Sequence, residues 1–528
     1  MKNSTTECLV GKRNKEKLKF GGCHFASPDF RKKEDRMKLS QLLEQVNYKV
    51  VSGTEDIEIT ELIYDTRKQI VAGTVFVCIS GAVYDGHNYV ESAVKAGAVA
   101  IIAEHEVEVP EGVCLVICES TRLALACMSA AYFGHPAKKL VTIGITGTKG
   151  KTTTAYMIRN TLELAGYKTG LIGTVEAIIG EEHIKASNTT PESYVLQQYF
   201  RQMVDAGCKC VVMEVSSQGL MLHRVGGFVF DYGIFTNLSK DHIGANEHKD
   251  FDDYLHCKSL LFRQCKVGIV NFDDNHMERV LEGHTCRLET YGMNEGADLR
   301  AVHVDLHSKE GELLVSYQTV GAMELDVTVG IPGRFTVYNS LTALAVCRHF
   351  NIPKEIIQKA LRVVKVKGRV EPVEISKRFT LMIDYAHNAM SLQSLLTTLA
   401  EYHPKRIVCL FGCGGNRSKD RRFEMGEISS EYADMTVITS DNPRNEEPLD
   451  IMQDILTGVQ RKNGAYVMIP DRKEAIRYCI QNARKGDVIV LAGKGHEDYQ
   501  EIKGVKYPMD ERVLIQEILS EMSEGNLV

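Results

Sequence analysis

The chain has 528 residues, 44% of them hydrophobic and 25% charged, with 63 Lys and Arg against 69 Asp and Glu and a formal net charge of −6. That length suits about three domains, and the acidic balance argues against nucleic acid as a main partner. No apolar run approaches the about 18 residues of a membrane span, and the 15 cysteines are scattered without metal-ligand spacing, so a soluble cytoplasmic protein with reduced thiols is expected.

Residues 1–36 carry ten Lys or Arg against five acids and lack the apolar core of a secretory signal; they are expected to form a disordered basic arm. From Met37, "MKLSQLLEQV" sets Leu39, Leu42, Leu43 and Val46 at helical spacing. Strand and helix patterns alternate to about residue 135, with strands over "GTVFVCISG" (73–81) and "GAVAIIAEH" (97–105), and "GHPAKKL" (134–140) reads as a linker. A further strand enters "GTKGKTTT", after which Ala155, Ile158, Leu162 and Ala165 mark one helix face and Gly166 supplies a stop. Buried-strand runs recur in "CVVMEV", "YGIFTN" and "VGIVNF", and again after about residue 370 in "FTLMID", "RIVCLFG", "DMTVITS" and "DVIVLAG". Apolar strands alternating with helices predict parallel sheets covered on both faces. The expected fold is therefore α/β with three domains, over residues 37–135, 138–366 and 367–528.

A strand, a Gly-rich turn and Lys-Thr at a helix start form a phosphate cradle, because backbone N–H groups and the helix N-terminus both present positive potential. Gly147 and Gly150 let the backbone approach, Lys151 reaches the β/γ-phosphates and the Thr152 hydroxyl reaches Mg²⁺. The strict P-loop pattern has one more glycine, where this chain has Ile145, so the match is to the shorter form Gly147-x-x-Gly150-Lys151-Thr152. A nucleoside triphosphate site follows. Partners for it should lie at neighbouring strand ends. "VVMEVSSQGL" places Glu214 there, followed by Ser216 and Ser217, and "FTNLSKDH" places Asn237 and then His242. A carboxylate and an imidazole both suit a divalent cation.

The last third of the chain repeats this logic. Four apolar runs end in "DYAH" (384–387), "GCGGNR" (412–417), "SDNPR" (440–444) and "AGKGHE" (492–497). Arg417 and Arg444 suit a carboxylate through bidentate forks, and Asp441 and Glu497 suit an ammonium group, so this rim is read as a site for a zwitterion such as an amino acid.

"GITGTKGKTTT", "NTTPES", "EVSSQGLMLHRV", "TNLSKDH", "YLHCKSLLF", "DYAH", "GCGGNRSKDRR", "TSDNPRNEEP" and "VLAGKGHEDYQ" occur in this order. Together they resemble the Mur ligases of peptidoglycan synthesis, and within them the members that act on UDP-N-acetylmuramoyl-L-alanyl-D-glutamate. The resemblance runs from about Met37 to the C-terminus. It implies a UDP-binding N-terminal domain, a P-loop ATPase-like central domain and a Rossmann-like C-terminal domain. It also implies a reaction: ATP phosphorylates the D-glutamyl γ-carboxylate, and the amine of an incoming amino acid attacks the acyl phosphate.

Roles follow by motif. Gly147, Thr148, Lys149, Gly150, Lys151, Thr152 and Thr153 would bind ATP phosphates, with Asn339, Arg369 and Asp384 approaching ATP from the hinge and third domain. Thr152, Glu214, His242 and Lys258 would surround Mg²⁺, and Lys258 would carry a carbamate, which turns a cation into an anion. Lys151, Glu214, His242 and Lys258 are thus the catalytic set. Asn188, Thr189, Thr190, Ser216 and Arg224 would contact the muramoyl-peptide, and Thr66 the uridine end. Arg417, Asp441, Asn442, Pro443, Arg444, Gly493 and Glu497 would hold the amino acid. In this family an Arg at the fourth position of "DNPR" goes with meso-diaminopimelate, whose second carboxylate needs a counter-charge, so Arg444 favours it over L-lysine. The chain departs from the family pattern at Asn388-Ala389-Met390, at Ile243-Gly244, at Leu222 and at Thr66. A monomer with small-molecule substrates is expected. The alternatives are L-lysine as the added amino acid, a folylpolyglutamate-type ligase, a P-loop switch or kinase that forms no amide, and an inactive scaffold.

Overall fold

The computed structural model describes residues 37–81, 84–241, 243–244 and 247–524. The basic arm expected over residues 1–36 and the candidate His242 lie outside the described residues.

Three sheets carry the α/β fold. In the first, strands run in the order Tyr48–Ser52, Cys114–Cys118, Ala98–Ala103, Thr74–Val77, Glu61–Ile63, parallel except for the first. The helical spacing from Leu39 gives one short helix, Leu39–Leu42, whose leucines enter that sheet's core. The second sheet has 11 strands. Its parallel part centres on Val141–Thr146, flanked by Cys210–Glu214 on one side and Phe230–Phe235 on the other. Antiparallel strands close both edges: Glu176–Ile179 with Glu182–Lys185, and Leu299–Lys309, Glu312–Gly321 and Leu325–Val329 in meander. The strand periodicity had pointed to a parallel sheet; the meander alternates half-exposed and buried residues, as one-sided antiparallel strands do. The third sheet orders Thr380–Asp384, Asp487–Ala492, Arg406–Phe411, Met435–Ile438 and Tyr466–Met468 in parallel.

Every strand expected between residues 73 and 105 and after residue 370 forms, shortened by one to three residues in all, except that the strand expected over 73–81 loses five and ends at Val77. The helix after the phosphate loop spans Lys151–Leu164 and buries Ala155, Ile158 and Leu162. One continuous apolar core joins this helix and helix Phe335–Arg348 to the third sheet, and the Gly333 N–H donates to the Tyr402 hydroxyl at 2.9 Å across that junction. The 13 cysteines among the described residues are all unpaired and buried, and no helix there is long and apolar enough to cross a membrane.

Candidate active site

The phosphate loop leaves the central strand at the point where its two neighbours diverge to opposite sides, the place where open parallel sheets leave a crevice. Two glycines shape it. Gly147 has φ 144°, and a Cβ there would lie 2.0 Å from the Thr236 hydroxyl; Gly150 has φ 86°, and a Cβ would lie 2.6 Å from Asn339 Oδ1. Any side chain would strain the backbone and push the loop off its supports. The supports come from the end of Phe230–Phe235. Thr148 N–H donates to the Asn237 carbonyl (2.8 Å), Lys149 N–H to Asn237 Oδ1 (3.0 Å), and the Thr236 hydroxyl to the Lys149 carbonyl (2.7 Å). Thr153 is buried on the first turn of the helix.

Two lysines meet at one carbonyl. Lys151 Nζ donates to the Gly147 and Thr148 carbonyls at 2.8 and 3.0 Å, and Lys258 Nζ donates to the same Gly147 carbonyl at 2.9 Å. Lys258 reads in the sequence as a helix-surface lysine, yet it is 1% exposed, with Nζ 4.4 Å from the Tyr254 ring centroid. Burial, and then repulsion from Lys151, pushes its ammonium well below the usual lysine range. Lys151 is also held down by burial, with Glu214 opposing and Arg369 adding to the effect. Arg369 belongs to the third sheet's approach, so charge from that domain is felt at the phosphate loop.

Glu214 is 1% exposed and accepts from the Thr152 hydroxyl at 3.0 Å, from Thr174 N–H at 2.8 Å and from the Thr174 hydroxyl at 3.0 Å. No cation lies within ion-pair distance of it among the described residues. Thr174 was not legible in the sequence; its hydroxyl also meets that of Thr189 at 3.1 Å, linking Glu214 to the "NTTP" loop. Within that loop Asn188 is exposed, while Thr190 is fully buried: its hydroxyl donates to the Glu214 carbonyl and accepts from Ser216 N–H, so it builds the loop. Ser216 caps helix Ser217–Met221, and Arg224 donates to the Thr190 carbonyl and sits 2.9 Å from Glu192. Asn188 and Glu192 line a cavity of about 180 Å³ with Tyr64 from the first sheet's side; Thr66, two residues on from Tyr64, is not among its lining residues. His248, another residue missed from sequence, is fully buried, with Nδ1 3.0 Å from Asp253 and Nε2 2.8 Å from the Ser217 hydroxyl. It ties the Ser216 turn to helix Phe251–Ser259, which carries Lys258.

Two buried side-chain nitrogens here are unpartnered. Asn339 Nδ2, packed against Gly150, and Arg369 Nε have no hydrogen-bond partner. Asp384 accepts from Val370 and Ala386 N–H at 2.8 Å each; burial raises it, while Arg369 pulls the other way.

At the carboxyl ends of the third sheet the predicted rim comes together. Asn442 Nδ2 donates to Glu497 at 2.9 Å, and its Oδ1 accepts from Lys494 at 3.0 Å. Lys494, unmarked in the sequence reading, is fully buried and also donates to Glu497 at 2.9 Å. Burial pushes Glu497 up, but Lys494 and Asn442 outweigh it and leave its carboxyl below the usual range. Asp441 lies 3.9 Å from both Lys494 and Arg472, and the loop at Gly493 passes beside it. The Pro443 carbonyl accepts from Glu446 N–H at 3.0 Å. Arg444 donates through NH1 to the Gly415 carbonyl at 2.7 Å, and Arg417 is exposed on the neighbouring loop.

Comparison with known proteins fits this layout. Three family models match in order: the Mur ligase family catalytic domain over residues 58–133, the Mur ligase middle domain over 145–347 and the Mur ligase glutamate ligase domain over 368–495. UDP-N-acetylmuramoyl-L-alanyl-D-glutamate–2,6-diaminopimelate ligases of Caldanaerobacter subterraneus subsp. tengcongensis and Clostridium perfringens are each 41% identical, across 92% of this chain and 99% of the relative. A solved structure of a ligase of the same name superposes with a TM-score of 0.71 at 25% identity, over 93% of this chain and all of the other. A folylpolyglutamate synthase from Mycobacterium tuberculosis shares the fold at a TM-score of 0.54 and 16% identity, over 71% of this chain and 92% of its own. With relatives this similar along nearly their whole length, and with the phosphate loop and a second polar rim at the ends of two successive sheets, the chain belongs to the Mur ligase family.

Proposed function

We propose that this chain is an ATP-dependent, ADP-forming amide ligase that adds meso-2,6-diaminopimelate to UDP-N-acetylmuramoyl-L-alanyl-D-glutamate in peptidoglycan precursor synthesis. The observation that carries this reading is the pairing of two rims in one chain: a phosphate loop at one sheet, and an Arg444–Asn442–Glu497 cluster at the next.

The reaction follows from the groups present. N–H groups of residues 147–153 and Lys151 take the ATP phosphates, and the partnerless Asn339 Nδ2 and Arg369 Nε suit further acceptors of the nucleotide. Thr152 and Glu214, with His242, would hold Mg²⁺: a buried carboxylate that has only hydroxyl and N–H partners among the described residues fits a cation. When bound, the ion offsets charge on the phosphate oxygens. The substrate's γ-carboxylate oxygen attacks the γ-phosphorus and ADP leaves. The amine nitrogen of the amino acid then attacks the carbonyl carbon, phosphate departs with the C–O bond electrons, and the nitrogen loses a proton. Arg369 and Lys151 stabilise the negative charge on the transferring group. Lys258 would carry a carbamate. Its burial beside Lys151 favours the neutral amine, the form that adds to CO₂, and the anion formed would reverse the excess positive charge at the Gly147 carbonyl. Asn188, Thr189, Ser216 and Arg224 would line the muramoyl-peptide path, and Thr66 its uridine end. All these groups come from one chain, so a cytoplasmic monomer is the proposed working unit.

The test is phosphate release from ATP and Mg²⁺ with the dipeptide substrate and meso-diaminopimelate, L-lysine or no amino acid, with mass spectrometry of the product. A tripeptide formed with diaminopimelate alone supports the reading. Product with lysine instead keeps the ligase and removes the Arg444 argument, and release indifferent to both substrates returns the chain to a P-loop switch.

A further inference from the structure

Arg444 is held more tightly than a surface arginine needs to be. Its backbone sits at φ 52°, a left-handed conformation that a long side chain adopts only when its surroundings enforce it. The enforcement comes from the hairpin of strands Tyr499–Ile502 and Val505–Pro508. Arg444 N–H donates to the Glu501 carbonyl at 3.0 Å, and the Arg444 carbonyl accepts from Lys503 N–H at 2.7 Å. The side chain is gripped from the same place, with Nε donating to Glu501 Oε2 at 3.2 Å. Two residues earlier, Glu501 N–H donates to Asn442 Oδ1 at 2.9 Å, which turns the Asn442 amide so that its Nδ2 faces Glu497.

Glu501 therefore touches both residues that face the amino acid, yet it stands outside the motifs that mark the rim. A guanidinium has five N–H groups in a fixed plane. Glu501 takes the Nε edge and the Gly415 carbonyl takes one NH1 hydrogen. NH2 has no partner among the described residues, so the outer NH1–NH2 edge is left for a carboxylate.

We propose that Glu501 is a positioning residue that aims the outer edge of Arg444 at the second carboxylate of the incoming amino acid and so sets the preference for a diacid. This rests on the third sheet's rim being the amino-acid pocket, as argued above. A carboxylate beside the arginine weakens its net attraction for anions, but it removes the rotamer freedom that a long side chain would otherwise lose on binding. The balance favours binding because Glu501 engages Nε and leaves the outer edge open to the ligand.

The experiment is a double-mutant cycle with Glu501→Ala, Arg444→Ala and the double variant, with Glu501→Gln as the conservative change. Each is assayed by phosphate release against meso-diaminopimelate, L-lysine, ATP and dipeptide. Arg444→Ala and Glu501→Ala are each expected to raise KM for diaminopimelate by about 10-fold or more, the size of one charge-assisted hydrogen bond. kcat and the KM values for ATP and dipeptide should change less than about 2-fold, since neither residue faces the phosphates. Gln, which keeps an acceptor near Nε, should recover part of the loss, and the double variant should match Arg444→Ala alone because Glu501 acts through Arg444. A Glu501→Ala enzyme with unchanged KM for diaminopimelate beside an impaired Arg444→Ala, or losses that simply add, overturns the positioning role. An Arg444→Ala enzyme with unchanged KM overturns the pocket itself.

Discussion

The two rims solve the problem of buried charge in opposite ways. At the phosphate loop, like charges are crowded and polar groups are left open: Lys151 and Lys258 share one carbonyl, Glu214 has only hydroxyl and backbone donors among the described residues, and Asn339 and Arg369 each keep a partnerless nitrogen. At the third sheet nearly every charge is already matched: Lys494 with Glu497, Arg444 with Glu501, and Arg472 with Glu511 at 2.8 Å. Unmatched buried charge is costly unless a ligand supplies the counter-charge. The first rim thus suits a highly charged ligand whose own phosphates complete it. The second suits a small zwitterion that must be recognised by shape and fixed donors rather than by bulk attraction.

This contrast can be broken at either end. The largest effect should come from Lys151→Ala, which removes a cation that the phosphates require; phosphate release at saturating substrates is expected to fall by about 10³-fold or more. Next is Lys258→Ala, with an expected loss of about 10²-fold. If a carbamate is the working form, a small carboxylate such as propionate should restore part of the alanine variant's rate, while a Lys258→Arg variant should gain nothing; an alanine variant that is not restored contradicts the carbamate. The smallest effect concerns pH. Glu497 is held below the usual carboxylate range, so its charge persists through mildly acidic conditions and is lost only as pH falls through that lowered value. Lys494→Met removes the leading influence that opposes burial, so the carboxyl should rise and the acid-side increase in KM for diaminopimelate should appear at higher pH. An unmoved profile would mean that Lys494 does not set the charge of Glu497.

Much of this was legible in the sequence because local chemistry wrote it there. The phosphate loop needs its glycines and Lys-Thr in consecutive order, and Glu214, Asp384, Asn442 and Glu497 each follow an apolar strand. What stayed hidden depends on packing between distant segments. Lys258 sits in a helix with nothing in its spacing to mark it as buried, and Thr174, His248, Lys494 and Glu501 gain meaning only from partners 31 to 57 residues away or across a loop. The meander from residue 299 to 329 was missed because its half-exposed strands alternate and lack the apolar runs that marked the parallel strands.

The central claim is that the two rims divide the labour, one making the acyl phosphate and the other delivering the amine. Hydroxylamine in place of the amino acid tests it most directly, since it captures an acyl phosphate as a hydroxamate without needing the third domain's pocket. The account predicts ATP- and dipeptide-dependent hydroxamate at close to the parent rate in Arg444→Ala and none in Lys151→Ala. Loss of hydroxamate in Arg444→Ala would contradict it, because the amino-acid rim would then be needed for the first step as well.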